Sequence, residues 1–389
     1  MEACSPLIGR HSILDQRAQR LIEAVHAAEA EKAEGLPTDD ERDEKRRRRV
    51  ELTKEEMFAQ PAAIQRTLAL ESVAIGEAAK KLAGRSWRRV YLVGCGDSLA
   101  AAVALRLLFE RVLGVACEAM QSLDFAYYYS EIADKDSLVI CLSSSGETTR
   151  TLEAALVARE RGSTTVAVTN TAESSLMREA EHALLVHATR RGWPTQASTA
   201  AMALLARLVL EIGGYQGRTG WLHEANEELA RVPDLLGRVL DRCDRPVAAL
   251  AQKYSDRNIF LYAGGGPAFA CAMFGAAKMK ECTPAHAIAI PLEEYHHYNS
   301  QKKSDPLLLF VPRGRTMSRA LDTARAGKRA GGNVHVATSV GETRFARVAD
   351  SVLHLPIMRE EIAPIVYCVP GQLFAYYVAV ERFRLADAK

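Results

Sequence analysis

The segment SLVICLSSSGETTRTLEAALVARERG, residues 137–162, reads as a strand, a turn and a helix. Residues 138–142 form an apolar, β-branched run too short for a buried helix, and three serines and a glycine stop it abruptly. From Thr148 onward Leu152, Ala155 and Leu156 recur at helical spacing, and Ser144 with Glu147 spells the S-x-x-E pattern of a helix N-terminus. A strand that enters a helix through small hydroxyl residues gathers backbone N–H groups, hydroxyl donors and the positive end of the helix dipole at one point, which suits a phosphate. Ser143, Ser144, Ser145 and Thr148 are therefore candidate phosphate ligands. On these residues alone, an ordinary strand-to-helix loop with a good cap is the competing reading. Glu147 would repel a phosphate if it faced inward, so its carboxylate is expected to turn back onto Ser144 or to pair with a cation.

The same strand–turn–helix unit recurs along the chain. RVYLVGCGDSLAAAVALRLLFERV gives a strand at 90–93 and a helix from Ser98, and strands follow near 115–119, at 164–169 and at 183–188 before a long helix at 198–212. NIFLYAGGGPAFACAMFGAAKMKE opens a second set, with strands at 285–290, 307–311, 333–337 and 352–355 and a final helix over 365–384. Strands alternating with helices imply a parallel sheet covered on both faces. The expected architecture is α/β, with a helical N-terminal extension over 1–83, a first α/β domain over 84–213, a helical connector over 214–255 and a second α/β domain over 256–389. Pro61 fits the first turn of a helix within the extension.

The 389 residues suffice for two domains, and a hydrophobic share of 48% with a net charge of +2 announces neither a nucleic-acid nor a membrane surface. The tract DDERDEKRRRR at 39–49 reads as a solvated helix or linker, because acidic residues directly precede the basic ones. No apolar run approaches the roughly 20 residues that span a bilayer. The N-terminus lacks a basic flank followed by an apolar core, so a cytoplasmic protein is expected. Eight scattered cysteines, without C-x-x-C spacing or clustered histidines, suggest neither disulfides nor a zinc site. Gly94-x-Gly96-x-x-Leu99, with Glu118 22 residues after Gly96, is two-thirds of a dinucleotide fingerprint. The missing third glycine, and a second hydroxyl-bearing turn two strands later, favour one monophosphate over a pyrophosphate.

GCGDS at 94–98, SSSGET at 143–148, QAST at 196–199, KMKE at 278–281, EYHH at 294–297 and EEIAPIVYCVPGQLFAYYVA at 360–379 stand in one order over residues 55–379. Together they resemble the double sugar isomerase (SIS) domain family, in particular the isomerase portion of glucosamine-6-phosphate synthase (glutamine–fructose-6-phosphate aminotransferase). The resemblance implies two SIS domains and a hexose or hexosamine 6-phosphate as substrate, with no metal and no cofactor. It implies phosphate contacts at Asp97, Ser98, Ser143, Ser144, Ser145 and Thr148, and Ser198 near the sugar. Moving a carbonyl between two sugar carbons needs one carboxylate as proton carrier, and opening the pyranose ring needs a group titrating near neutrality. The resemblance assigns these roles to Glu281 and His297, 16 residues apart. Lys278 shares the Glu281 face of a helix, where it either stabilises an enediolate or pairs with the glutamate. In the family the histidine reaches the neighbouring subunit's site, which implies a homodimer with shared active sites.

Three departures qualify these expectations. Cys4 follows Glu2 and Ala3, so the family's N-terminal glutaminase chemistry is not expected. Lys389 does not align with the family's imine-forming tail lysine. Gly192, Trp193 and Pro194 replace family residues beside the expected sugar, so substrate preference is expected to differ. The leading expectation is aldose–ketose isomerisation, coupled or not to release or uptake of ammonia, as in hexosamine-phosphate deaminases and fructosamine-6-phosphate deglycases. The alternative is a non-catalytic phosphosugar sensor.

Overall fold

The computed structural model describes residues 7, 8, 12–298 and 300–388; Cys4 and Lys389 lie outside them. Four helices come first: α1 (Gln16–Glu34), α2 (Glu44–Phe58), α3 (Gln60–Leu70) and α4 (Ser72–Ala83). Pro61 stands in the first turn of α3, where its missing N–H costs nothing. The first α/β set is β1 (Arg89–Gly94), α5 (Asp97–Leu113), β2 (Cys117–Gln121), α6 (Ser122–Asp124), β3 (Ser137–Leu142), α7 (Thr149–Glu160), β4 (Thr164–Thr169), α8 (Ser175–Glu179), β5 (His182–Leu185) and α9 (Gln196–Tyr215). Helix α10 (Trp221–Tyr254) crosses to the second set: β6 (Ile259–Gly264), α11 (Phe269–Cys282), β7 (His286–Pro291), β8 (Pro306–Val311), α12 (Met317–Arg329), β9 (Asn333–Ser339), β10 (Ser351–Leu355), α13 (Pro364–Tyr367) and α14 (Val369–Asp387). The final helical stretch, expected as one piece, breaks at Cys368, two residues before Pro370.

Both sheets are wholly parallel and share one topology. The first has the order β2-β1-β3-β4-β5 and the second, from its opposite edge, β7-β6-β8-β9-β10. In each, the first strand of the set lies between the second and the third, so the chain leaves it in opposite directions on its two sides. That reversal opens a crevice beyond the carboxyl ends of the two central strands, the usual ligand position in an open parallel sheet. In the first sheet it falls between β1 and β3, whose ends Gly94 and Leu142 are register partners.

One apolar core joins the halves: α5 packs on α9 and α11, α11 on α14, and α14 on α10. Helix α9 lies at its centre. By length and apolar character α9 qualifies as a membrane span, contrary to the expectation that no run approached that length, but 78% of its apolar window is buried within the protein. Its apolar character is that of a core helix surrounded by α3, α4 and α5.

Candidate active site

The crevice between β1 and β3 holds a cavity of about 270 Å³, walled mainly by the first half and closed by Ala277 and Glu281 of α11. At its β3 end the hydroxyls form a cluster. Ser143 Oγ and Thr148 Oγ1 are 2.9 Å apart, with Ser145 Oγ within 3.4 Å of the first and 3.5 Å of the second. Among the described residues, the backbone N–H groups of Ser144, Ser145 and Thr148 have no hydrogen-bond partner. Ser144 Oγ is likewise buried without one. Gly146 lets the turn close: its φ is +65°, and a Cβ there would stand 2.1 Å from Ser174 Oγ. Free N–H groups, hydroxyls and the α7 dipole converge here.

The predicted cap is different. Ser144 and Glu147 form no capping box: α7 begins one turn later, with Thr148 as N-cap. Thr149 N–H donates to Glu29 of α1 at 3.0 Å, so a carboxylate 120 residues away satisfies the first turn. Glu147 neither returns to Ser144 nor meets a cation; its Oε1 accepts from Ser175 N at 2.7 Å, at the start of α8. A helix N-terminus supplies the positive potential that a cation was expected to give, and the carboxylate leaves the cavity.

At the opposite wall stands an ion triad. Lys278, fully buried, donates from Nζ to Asp97 Oδ2 at 2.8 Å and also to Glu281 Oε2. Burial alone would lower the Lys278 pKa, but the two carboxylates outweigh it and raise it, so the ammonium stays charged. Glu281 is pushed above the ordinary carboxylate range, first by burial and further by the Asp97 charge, against the pull of Lys278. Ser198 Oγ donates to Asp97 Oδ2 at 3.2 Å. Asp97 bonds the lysine and the Ser198 hydroxyl, and Asp97, Ser98 and Ser198 all line the cavity. Lys278 pairs with Glu281 and is absent from the cavity wall.

Sequence reasoning missed three arginines. Arg190 lines the cavity, and its Nη1 reaches the Ser144 carbonyl at 3.1 Å and Thr171 Oγ1 at 3.2 Å, a cation beside the hydroxyl cluster. Arg46 and Arg49 belong to the tract read as solvated. Arg46 is instead buried, and its Nη1 donates to the backbone carbonyl of Glu281 at 3.2 Å, at the negative end of α11. Arg49 stacks on the Trp193 ring at 3.6 Å from its centroid. Helix α2 also grips the loop that leads into α9: Glu56 accepts from Thr189 Oγ1, Arg191 N and Gly192 N, and Thr53 Oγ1 from Trp193 N. Only the repeated arginines and the unusual Gly192-Trp193-Pro194 could have hinted at this wall.

His297 is not brought to this cavity. It sits on the second half, 59% exposed, with Nε2 3.5 Å from Glu293 Oε1. The equivalent crevice of the second sheet also holds a cavity, of about 630 Å³, whose lining includes Gly264, Gly265, Arg315, Thr316 and Glu360; there Glu360 accepts from Arg315 N at 3.1 Å and pairs with Arg315 Nε at 3.1 Å. Gly314 leaves the room for it, since a Cβ there would stand 2.3 Å from Glu360 Oε2. Among the described residues, no group of three or more His, Cys, Asp or Glu side chains is arranged to hold a metal ion.

Two like parallel sheets, with one crevice carrying a cluster of hydroxyls and free N–H groups at one end and a lysine-backed carboxylate at the other, define a two-domain α/β protein. The SIS domain profile matches residues 85–210 and 254–382, and the chain belongs to the SIS domain family. It is 31% identical over 330 residues to the glutamine–fructose-6-phosphate aminotransferase [isomerizing] of Pyrobaculum aerophilum, covering 84% of this chain and 54% of that protein. The chain thus spans about half the length of the curated relatives it matches. The C-terminal domain of glucosamine-fructose-6-phosphate aminotransferase from Francisella tularensis superposes with a TM-score of 0.76 at 25% identity, covering 85% of this chain and 96% of that one. A glucosamine-6-phosphate deaminase from Thermotoga maritima shares the fold, with a TM-score of 0.67 at 21% identity over 85% of this chain and 94% of that one.

Proposed function

We propose that the cavity interconverts the aldose and ketose forms of a hexose or hexosamine 6-phosphate, alone or coupled to loss or gain of ammonia at the same carbon. The observation that carries this reading is the placement of Glu281 on the wall facing the hydroxyl cluster, with Lys278 buried behind it and Asp97 also lining the cavity. The phosphate sits on the Ser143, Ser145 and Thr148 hydroxyls and the free N–H groups, with the Arg190 charge alongside. That anchors one end of the open chain and leaves C1 and C2 near Glu281.

Glu281 takes the proton from C2 of the aldose, and the C–H electron pair forms the C1–C2 double bond as the C1 carbonyl oxygen becomes an alkoxide. The hydroxyl proton on O2 passes to O1, the carbonyl reforms at C2, and Glu281 returns its proton to C1. No atom is gained or lost. A carboxyl whose pKa is raised by burial is the stronger base for this step, and such a group contributes roughly 10²–10⁴-fold in rate. Ring opening is assigned to His297 of a second copy of the chain, since this histidine is exposed and outside its own cavity.

The test is exchange of the transferred carbon-bound proton with solvent deuterium, read at C2 of glucosamine 6-phosphate and at C1 of fructose 6-phosphate with ammonia and of a fructosamine 6-phosphate. Exchange is expected with at least one of them, and Glu281→Gln should abolish it while phosphosugar binding persists. Binding without exchange by the wild type would instead make the protein a sensor, and exchange by the variant would remove Glu281 from its role.

A further inference from the structure

Two residues share the start of α7. Thr148 stands at the N-cap with extended backbone, φ −75° and ψ 112°, where a threonine hydroxyl ordinarily turns back to accept from the N–H two or three residues on. Here it makes no such bond. Its Oγ1 turns to the cavity instead, 2.9 Å from Ser143 Oγ and 3.5 Å from Ser145 Oγ. One hydroxyl cannot cap its own helix and serve the cluster at once, since the two tasks need different rotamers. Glu29 takes over the first task, its Oε2 accepting from Thr149 N at 3.0 Å and from Thr149 Oγ1. Thr149 is buried, so removing Glu29 deprives both of its donors of the partner they share.

Glu29 is brought there by α1, which lies outside the residues that match the SIS profile. Ile22, Val25 and Glu29 recur at i, i+3 and i+7 and so share one face of that helix. Ile22 and Val25 pack with Leu152, Leu156 and Val157 of α7 in a small apolar core separate from the main one. Arg17 adds a fork onto Glu179, at 2.8 and 2.6 Å, and Arg150 Nη2 donates to the Leu7 carbonyl at 2.9 Å. The carboxylate therefore reaches the first turn of α7 in a register that packing fixes.

Resting on the phosphosugar reading above, we propose that Glu29 is a positioning residue of the phosphate cradle: by capping α7 from outside, it releases the Thr148 hydroxyl to the ligand. It touches no substrate. Its charge works against the role, because a carboxylate beside the α7 N-terminus opposes a phosphate there; what Glu29 contributes is an acceptor in the right place.

Glucitol 6-phosphate, an open-chain sugar phosphate without a carbonyl, cannot be isomerised and so reports binding to the full chain by calorimetry. Glu29→Ala should bind it about tenfold more weakly than the wild type, as Thr148 turns back to its own helix and one hydrogen bond to a charged group is lost. Glu29→Gln keeps an acceptor for Thr149 N–H without the charge and should bind at least as tightly as the wild type. Thr148→Val alone should weaken binding about tenfold, and adding Glu29→Ala should weaken it no further, because the hydroxyl that Glu29 releases is already gone. Equal affinities of Glu29→Ala and wild type, whatever their urea midpoints, would reduce Glu29 to a structural cap and overturn the proposal. A glutamine variant as weak as the alanine one would overturn it too, as would losses that multiply in the double variant. If glucitol 6-phosphate does not bind the wild type, the phosphosugar reading fails and this role with it; if it binds and the Glu29 variants match the wild type, only the role fails.

Discussion

Asp97 places a second negative charge within reach of Glu281 through a lysine that both carboxylates share. Its charge helps hold Glu281 above the usual carboxylate range. Asp97→Asn removes that charge and leaves Lys278 to Glu281 alone, and both changes favour the ionised glutamate. The acid limb of the kcat/KM–pH profile should therefore move to lower pH, while the plateau falls because a weaker base is paired more tightly. An unmoved limb would show that Asp97 is not coupled to the base. At this scale the sequence was informative where the chemistry is local. Lys278 and Glu281 share a helix turn, and Ser143, Ser145 and Thr148 share one loop, so spacing alone brings each set together. Arg49, Arg190 and Glu29 were illegible for the opposite reason: each acts on a residue brought near only by the fold, and a charged side chain in a charged tract looks solvated until its partner is known.

Elements were read more reliably than their ends. The run at 164–169 matches β4, but α7 starts at Thr149 because its cap comes from α1 and not from its own leading residues. Strand β9 shows how a polar side chain becomes structural once an element is buried. His335 bonds through Nδ1 to Ser351 Oγ at 2.8 Å and through Nε2 to Tyr254 OH at 3.0 Å, tying β9 to β10 and to α10. Burial lowers its pKa from 6.5 to about 4. The unfolded chain therefore takes up the proton first: the stability contributed by this neutral ring is complete above pH 6.5 and drains away as pH falls toward about 4, by about 3 kcal/mol. Urea midpoints measured at about pH 7 and about pH 4.5 should fall further for the wild type than for His335→Gln. Parallel losses in the two proteins would mean that other groups carry the acid sensitivity.

Across the whole molecule, the repeated topology was legible because each half announces itself by the same strand–glycine turn–helix unit, whereas the different fates of the two crevices were not. Glu360 pairs with Arg315 on the wall of the second cavity, so the hydroxyl cluster with a facing carboxylate belongs to the first. That cavity contains Glu281 but not His297, so each protomer on its own is chemically incomplete in the proposed reaction. Co-expressed Glu281→Gln and His297→Ala chains should recover about a quarter to a half of wild-type turnover in mixed assemblies, although each variant alone is nearly inactive. No recovery from assemblies shown to contain both chains would place ring opening within one protomer. The seam between α2 and residues 189–195 has a separate consequence. Glu56, Thr53 and Arg49 lie upstream of the first SIS match at residue 85, yet they shape the loop that enters α9. The SIS-matched body of the fold and the α2 side of the seam on the loop into α9 are thus encoded in different stretches of the chain. A graft of α2 together with its matching loop is the smallest exchange that keeps this seam paired, whereas either half grafted alone would arrive without its counterpart.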